Sequence, residues 1–361
     1  MNPLFWSGRR VLVTGHTGFK GSWLVALLDK MGAETTGFAL APADDASLFV
    51  RAALAERCHH IVGDVRDASH LAQVVADTAP EIVVHMAARA LVLPSYDDPV
   101  GTWATNVTGT VHLLEAVRAS DSAQVVLVVT SDKCYRNPHD VPARRAFAED
   151  DPLGGDDPYS ASKAAAEMVT ASYRSSYLAP AGVAVATVRA GNVIGGGDTS
   201  PYRLVPDLVA AHERGERPIL RHPGAIRPWQ HVLDPLDGYL TLAERLRHDT
   251  DAAGGWNFGP DDASCVRVDE LAARLARAWG VEHDVDVDVD VDVDVDHDAP
   301  LEAAALRLDS TKARTQLGWR TRWSLDDALA EIVAFGAAPS AAAAVDAAIV
   351  THLGVVPYPG H

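Results

Sequence analysis

Five side chains in two nearby segments have the types and spacing of a proton-transfer site. Ser131, Asp132 and Lys133 are consecutive, and Tyr159 precedes Lys163 by four residues. Residues four apart on a helix share one face, so the tyrosine and the lysine are predicted to lie together. An unperturbed tyrosine titrates at about 10, so it can act as a base at neutral pH only beside a positive charge, which Lys163 supplies. The pattern predicts a general acid and a general base at one site.

A glycine-rich turn lies upstream of this site, directly after the apolar run 11–13. Glycines three apart between a strand and a helix allow a pyrophosphate to approach bare backbone at the helix N-terminus. The alternative is a plain strand-to-helix turn. We predict that the whole turn binds a dinucleotide cofactor: Gly15, His16, Thr17, Gly18, Phe19, Lys20 and Gly21. An acid and a base beside such a cofactor indicate redox chemistry coupled to proton transfer.

The residues after the second predicted strand indicate the type of dinucleotide. The acidic residue usual about 20 positions after the glycines is missing, and no arginine stands there to hold a 2′-phosphate. The sequence therefore favours NAD over NADP. Asp64 and Val65 come after the third predicted strand, where they suit a contact with the adenine edge; the alternative is that Asp64 is a surface aspartate with no role.

The elements that must position these residues alternate between strand and helix. Strands are predicted at 10–14, 34–40, 57–63, 81–86, 124–130 and 182–189, and helices at 21–31, 71–78, 103–120 and 159–177. The run 124–130 is uninterrupted and β-rich, as expected of a strand covered on both faces. Since no hairpin signal interrupts the alternation, we predict an α/β fold: a doubly wound parallel sheet of the Rossmann type.

The domain prediction adds a smaller substrate-binding region toward the C-terminus, where loops are rich in glycine and proline. This region is interleaved with the last elements of the sheet. We assign 1–190 to the NAD-binding domain with returning elements at about 231–262, and 191–230 with 263–340 to the substrate region. The Val/Asp repeat at 283–298 is low complexity, and we interpret it as a solvated loop or irregular edge, with a one-faced strand as the alternative. Residues 341–361 are predicted to form a C-terminal tail.

Composition excludes several classes of function. The chain has 361 residues and a formal charge of −18, of which eight negatives belong to the Val/Asp repeat. The acidity of the remainder disfavours nucleic acid or an anionic membrane as partner. Three cysteines without paired spacing predict neither disulfides nor a metal site. No signal-peptide layout and no apolar run of about 20 residues is found, so a cytoplasmic location is expected.

Several longer strings resemble one known family, the extended short-chain dehydrogenase/reductases that act on sugar nucleotides, and more narrowly the CDP-glucose 4,6-dehydratases. They cover most of 5–325 in order. The glycine turn and the Tyr/Lys pair mark only the superfamily, whereas the narrower strings are GHTGFKGSW (15–23), TSDKCY (130–135) and RPWQHV (227–232). The resemblance implies further NAD contacts from Ala87, Ala88 and Asn106, in addition to Tyr159 and Lys163.

The resemblance also implies a reaction. Tyr159 would take the proton of the sugar 4-hydroxyl as the C4 hydride passes to NAD, with Ser131 hydrogen-bonding the 4-oxygen. The 4-ketone acidifies the C5 proton, water leaves from C5–C6 with Asp132 protonating the 6-hydroxyl, and hydride returns to C6. Lys133 stands where related dTDP-sugar dehydratases carry a glutamate base. It could act as a neutral base, stabilise the enolate, or have a structural role.

Substrate contacts are predicted from basic and polar residues in the second half of the chain. Arg203 and Arg227 suit the diphosphate of the substrate, although either could be a surface arginine, and Trp229 could pack by the nucleotide or in the core. With Ser95 and Asn192 these form the predicted substrate-binding set. The loop 89–95 and Thr199 depart from the family pattern, which puts the sugar and the base in question.

Two other functions compete with the dehydratase. An epimerase, decarboxylase or reductase of the same fold needs the Tyr/Lys pair but no acid for the 6-hydroxyl. A non-enzymatic dinucleotide sensor would need neither the Tyr/Lys pair nor the acid. CDP-glucose is the favoured substrate, and amphipathic helices at 104–118 and 160–177 could pair in a dimer or tetramer, though core packing gives the same pattern.

Overall fold

Ten strands form two sheets in the part of the chain that the computed structural model describes, residues 1–137, 145–218, 220, 222–280 and 305–354. The larger sheet is parallel throughout and has the order β3-β2-β1-β4-β5-β6-β9. Its strands are β1 (Arg10–Thr14), β2 (Glu34–Ala39), β3 (His59–Val62), β4 (Ile82–His85), β5 (Val125–Val129), β6 (Ala184–Ala190) and β9 (Gly254–Phe258). The smaller sheet contains β7 (Asn192–Ile194), β8 (Ile226–His231) and β10 (Cys265–Arg267).

Helices cover both faces of the large sheet. In chain order they are α1 (Pro3–Trp6), α2 (Phe19–Lys30), α3 (Leu48–Arg51), α4 (Ala68–Thr78), α5 (Val92–Asp97), α6 (Pro99–Trp103), α7 (Gly109–Arg118), α8 (Pro158–Tyr173), α9 (Leu204–Arg214), α10 (Leu233–Leu246), α11 (Val268–Ala278), α12 (Thr311–Gln316), α13 (Leu325–Ala337) and α14 (Ala341–Leu353). None of these described helices is both long enough and apolar enough to span a lipid bilayer.

The strand residues alternate between two hydrophobic cores, because successive side chains of a strand point to opposite faces. In β4, Ile82 and Val84 pack into the core that contains α2 and α10, whereas Val83 packs into the core that contains α4 and α7. All of β4 and β5 is buried. Burying each such valine or leucine contributes about 1.5–3 kcal/mol, which is why these apolar runs become the central strands.

The prediction of a doubly wound parallel sheet is confirmed, and most differences lie at element ends. The third strand is shorter than predicted, His59–Val62, and the helix predicted from 71 begins at Ala68, because Asp67 caps its first turn. The helix predicted over 103–120 is divided by a π-helical turn at Ala104–Thr108.

The small sheet lies among α9, α11 and α13, with a core of its own that includes Trp229, Leu271 and Leu329. These elements fall in the two ranges predicted to form the substrate region, while β9 returns to the edge of the large sheet beside β6. The Val/Asp repeat lies outside the described residues.

Candidate active site

A cavity of about 800 Å³ opens at the carboxyl ends of the central strands. The strand order reverses between β1 and β4, and in doubly wound sheets ligands bind where such a reversal leaves a crevice. Eighteen of the sequence-predicted residues line it: Gly15, Gly18, Phe19, Lys20, Gly21, Asp64, Val65, Ala87, Ala88, Ser131, Asp132, Lys133, Tyr159, Lys163, Asn192, Arg203, Arg227 and Trp229.

The glycine turn forms one wall of the cavity and leaves no room for side chains at its tightest points. Gly15 has φ +75°, and a Cβ there would lie 2.7 Å from the backbone nitrogen of Ala87. A Cβ on Gly21 would lie 2.2 Å from the Gly15 carbonyl oxygen. Gly18 caps α2 without a side-chain hydrogen bond, so the first N–H groups of the helix are left to an anionic ligand. The turn therefore has the geometry of a pyrophosphate site.

The structure places His16 and Thr17 of this turn away from the cavity. The His16 ring is fully buried behind the wall, with its Nε2 2.6 Å from Nδ1 of His60. Burial, with the nearby His60, lowers the pKa of His16 to about 4, so the ring is neutral at physiological pH. Thr17 donates its hydroxyl to the Leu40 carbonyl. Both side chains therefore contact the protein on the side of the turn away from the cavity.

Ser131 and Asp132 sit where β5 ends, at the start of a 3₁₀ turn, Asp132–Cys134. Ser131 Oγ donates to Asp132 Oδ1 at 3.0 Å and accepts from the backbone N–H of Lys133 at 3.2 Å. Asp132 is 4% exposed, and burial raises the pKa of its carboxyl against the lowering effect of Lys133. Its Oδ2 has no hydrogen-bond partner among the described residues. Burial therefore favours the protonated form of this carboxyl group.

Tyr159 and Lys163 face the same cavity from the first turns of α8. The helix starts there because Asp157 accepts a hydrogen bond from the Ser160 N–H at 2.9 Å and Pro158 fits the first turn. Burial raises the pKa of Tyr159 to about 12, although a hydrogen bond with Ser131 opposes the rise. Burial lowers the pKa of Lys163 to about 8, and its Nζ donates to the Val129 carbonyl at 3.1 Å. With this pKa the tyrosine is protonated at neutral pH.

Two other predicted residues lie behind the cavity wall. Asn106 is 2% exposed and bridges Arg89 to Ser162, accepting from the Arg89 N–H at 2.8 Å and donating to Ser162 Oγ at 2.8 Å. Ser95 is also buried, and its hydroxyl donates to the Val92 carbonyl. Asn106 thus links the loop after β4 to the helix that carries Tyr159.

The predicted arginines also line the cavity. Arg203 is paired with Asp198 at 3.1 Å, and Arg227 is 7% exposed on β8. Trp229 donates its indole N–H to the Val266 carbonyl at 3.2 Å, which holds the ring in the wall of the small sheet. The Asp64 carboxylate accepts hydrogen bonds from Nε and Nη2 of Arg66, a partner that the sequence reasoning did not include.

Sequence reasoning also missed a buried ion pair next to the segment 130–135. Arg189 donates to both carboxylate oxygens of Glu167 at 2.8 Å, and each side chain is 4% exposed. Thr130, next to Ser131, also donates to this carboxylate, and Arg189 donates to the Tyr135 hydroxyl at 2.6 Å. The sequence signal for this pair was Arg189, near the end of the largely apolar strand β6. A charged side chain is buried only with a partner, so this arginine implied one.

Comparison with known proteins supports the family resemblance that the sequence shows. Residues 12–332 match the family described as GDP-mannose 4,6 dehydratase. A CDP-glucose 4,6-dehydratase of Salmonella typhimurium is 45% identical over 91% of this chain and 90% of the relative. Among solved structures, the dTDP-glucose 4,6-dehydratase DesIV of Streptomyces venezuelae, crystallised with NAD, has a TM-score of 0.72 and 25% identity over 90% of this chain and 96% of its own. A UDP-glucose 4-epimerase of Thermotoga maritima has a TM-score of 0.75 at 21% identity, over 91% of this chain and 98% of its own, and so shows the fold. The protein belongs to the extended short-chain dehydrogenase/reductase family of sugar-nucleotide dehydratases and epimerases.

Proposed function

We propose that this protein is an NAD-dependent sugar-nucleotide 4,6-dehydratase that converts CDP-glucose to CDP-4-keto-6-deoxyglucose. The observation that carries the proposal is Asp132, a buried carboxyl group with a raised pKa that lines the cavity together with Ser131 and Tyr159, its Oδ2 without a hydrogen-bond partner among the described residues. An epimerase of this fold needs no acid for a departing 6-hydroxyl. The 45% identity to a CDP-glucose 4,6-dehydratase supports both the reaction and the base.

The residues present fit NAD. Gly15, Gly18 and Gly21 give the pyrophosphate a bare backbone and a helix N-terminus without a side-chain cap, and Asp64 and Val65 also line the cavity. Ala39 and Leu40 line the cavity after β2 without an acid or an arginine. When bound, NAD supplies an acceptor and then a donor for one hydride. We assign its adenine end to Asp64 and Val65, and its ribose and nicotinamide end to Ala87, Ala88, Tyr159 and Lys163.

Tyr159 is the base for the 4-hydroxyl proton. Because burial raises its pKa, it must be helped to ionise, and the positive charges of Lys163 and of the oxidised nicotinamide would favour the phenolate. Ser131 lies within hydrogen-bonding reach of the tyrosine and can steady both the phenol and the sugar 4-oxygen. Oxidation at C4 thus depends on three side chains that β5 and α8 bring together.

Asp132 is the acid of the elimination. A carboxyl group that donates a proton near pH 7 must be kept protonated, and burial does this here by raising its pKa. Its free Oδ2 lies close to Gly191, where even a Cβ would come within 3.1 Å. The absence of a side chain at Gly191 therefore avoids crowding of the carboxyl group. Lys133 is assigned to the same step, either as the C5 base or as a charge that stabilises the enolate.

The substrate diphosphate is assigned to Arg203 and Arg227, with Asn192 and Trp229 beside it. Arg89, the new arginine of the 89–95 loop, lines the cavity mouth but is paired with Asp98. Ser95, held by Val92, would act on the substrate only through the shape of this loop.

A homodimer or homotetramer in the cytoplasm completes the proposal. Trp103, Met168 and Tyr177 belong to or adjoin α6, α7 and α8 and are 42%, 56% and 49% exposed. Exposed aromatic and thioether side chains on neighbouring helices support the predicted helix-to-helix contact between copies. Light scattering of the purified protein would measure the assembly directly.

The proposal is tested by incubating the protein with CDP-, dTDP-, UDP- and GDP-glucose, with and without added NAD, and following products by mass spectrometry. We expect a loss of one water from CDP-glucose. A product of unchanged mass would indicate an epimerase, and no conversion of any substrate by NAD-loaded protein would refute the dehydratase assignment.

A further inference from the structure

Residues 305–310, the wall segment, run from the small sheet to the large sheet beside the cavity. The first residue of the segment forms a bridge with Ile226 of β8, the strand that carries one of the proposed diphosphate arginines. Leu306 lines the cavity. At the other end, Ser310 Oγ accepts from the Gly259 N–H at 2.7 Å and donates to the Gly259 carbonyl at 3.2 Å, directly after β9. The wall segment is therefore held by both sheets.

Asn257, a fully buried residue of β9, fixes the wall segment through its side-chain amide. Its Nδ2 donates to the carbonyl oxygens of Phe147 at 2.9 Å and Asp309 at 3.2 Å. Phe147 is itself paired with the wall segment, since its N–H donates to the Arg307 carbonyl at 2.9 Å and its carbonyl accepts from the Asp309 N–H at 2.8 Å. Carbonyl oxygens only accept, so the amide nitrogen must face them and Oδ1 is left as an acceptor.

Tyr135 occupies this acceptor, and it directly follows the 3₁₀ turn that contains Asp132. Its hydroxyl donates to Asn257 Oδ1 at 2.8 Å and accepts from Arg189 Nη1 at 2.6 Å. Its ring, 1% exposed, stacks on Phe147 with 4.9 Å between the ring centres and 7° between the planes. The hydrogen bonds therefore run in one direction, from the guanidinium through the phenol to the amide and the wall segment.

The acid and the base of the proposed reaction are held by different contacts. Tyr159 lies in the first turn of α8, which Asp157 caps at 2.9 Å. Asp132 lies in the 3₁₀ turn, and its carbonyl accepts from the Tyr135 N–H at 3.4 Å. A change at Tyr135 would therefore displace the acid and the wall segment relative to a bound sugar while leaving the first turn of α8 in place.

We propose that Tyr135 and Asn257 are positioning residues for the elimination, an inference that rests on the proposed dehydratase function. They hold the wall segment in register with Asp132, so that a sugar nucleotide bound against this wall presents its 6-hydroxyl to the acid. The phenol and the amide are occupied by protein partners, so both residues act through the acid and not on the sugar.

The test compares Tyr135→Phe and Asn257→Asp with a matched control, Thr170→Val. Tyr135→Phe keeps the ring and removes only the hydroxyl, whereas Asn257→Asp keeps the shape but turns an oxygen toward two carbonyl oxygens. Thr170 is also fully buried, and its hydroxyl donates to the Ala166 carbonyl at 2.7 Å, outside this network. Each variant is incubated with CDP-glucose at saturating NAD, and mass spectrometry separates the 4-keto sugar nucleotide that has lost only two hydrogens from the dehydrated product.

We expect both network variants to dehydrate CDP-glucose about 10–10²-fold more slowly, because a displacement of about 1 Å can cost that much. The KM for CDP-glucose should rise, and the undehydrated 4-keto sugar nucleotide should become a larger share of the product. NADH binding should stay unchanged, since none of these hydrogen bonds involves the glycine turn. A purely structural role would lower the active fraction alone, with the same KM and the same ratio of the two products.

An unchanged KM and product ratio in folded Tyr135→Phe would refute the proposal, as would the same change in Thr170→Val. If Tyr135→Phe does not fold, Asn137→Ala decides in its place, because the half-buried Asn137 amide donates to the Ala305 carbonyl at 3.2 Å, at the start of the wall segment. An unchanged product ratio in that variant would equally refute it. Weaker NADH binding with a normal product ratio would make the network a support of the cofactor site instead. If the unsubstituted protein dehydrates no sugar nucleotide, the proposed function itself fails.

Discussion

Replacing Glu167 by glutamine should destabilise the protein far more than an ordinary charge substitution. The Glu167 carboxylate accepts two hydrogen bonds from Arg189 at 2.8 Å, and the hydroxyl groups of Thr130 and Thr187 complete its contacts. Glutamine has the same size but replaces one acceptor oxygen by an NH₂ group. That group would face an Arg189 N–H, which cannot accept a hydrogen bond, and the Arg189 charge would lose its counter-ion.

The magnitude follows from the burial of the pair. Both side chains are 4% exposed, so the guanidinium cannot recover its hydration when the carboxylate is removed. Breaking a buried pair from one side costs about 3–5 kcal/mol, whereas an exposed pair contributes about 0–1 kcal/mol. Glu216→Gln, which breaks a pair with Arg214 in which both side chains are 57% exposed, is the matched control. We expect Glu167→Gln to lower the free energy of unfolding by about 3–5 kcal/mol and the control to change it by less than about 1 kcal/mol.

Urea unfolding monitored by tryptophan fluorescence measures both variants. The double variant Glu167→Gln, Arg189→Met should cost less than the sum of the single substitutions, because the second change removes the uncompensated charge. The reasoning would be refuted by additive costs, or by a Glu167→Gln cost no larger than that of the control. Thr130 precedes Ser131, so turnover of the folded variant should also decrease.

Three further predictions concern the acid, the glycine turn and a buried histidine. Asp132→Asn should keep C4 oxidation but slow water loss about 10²–10⁴-fold, and unchanged dehydration would remove Asp132 from the mechanism. Gly21→Ala should weaken NADH binding, measured by calorimetry, at least about tenfold, because its Cβ would lie 2.2 Å from the Gly15 oxygen. Gly336→Ala, whose Cβ would meet its nearest neighbour, the Trp279 ring, at an ordinary 3.9 Å, should not. His352 is 2% exposed, and burial lowers its pKa in the folded protein to about 3. In the unfolded chain the same histidine takes up a proton as pH falls below about 6.5. Stability is therefore lost as pH decreases below this value, because only the unfolded state binds the proton. His352→Phe should therefore reduce the pH dependence of the free energy of unfolding between pH 6.5 and 4 by up to about 1.4 kcal/mol per pH unit, and an unchanged slope would contradict this.

Local sequence was sufficient for the elements and for the residue types of the candidate site. The β-rich run that became β5, the glycine spacing before α2 and the four-residue interval from Tyr159 to Lys163 depend on backbone sterics and helix periodicity. These are properties of neighbouring residues, so they can be read without knowing the fold. The same holds for the family resemblance, because its strings are contiguous.

The tertiary structure decided which of these side chains meet. His16 and Lys20 belong to the same seven-residue turn, yet the helix that begins there directs His16 behind the wall and Lys20 into the cavity. Glu167 and Arg189 are 22 residues apart, and only the packing of α8 beside β6 joins them. Burial likewise determines the raised pKa of Asp132 and the lowered pKa of Lys20. Sequence by itself determined which groups could react. The assembled fold decided their partners and their desolvation, and therefore their protonation, because both depend on residues distant in the chain.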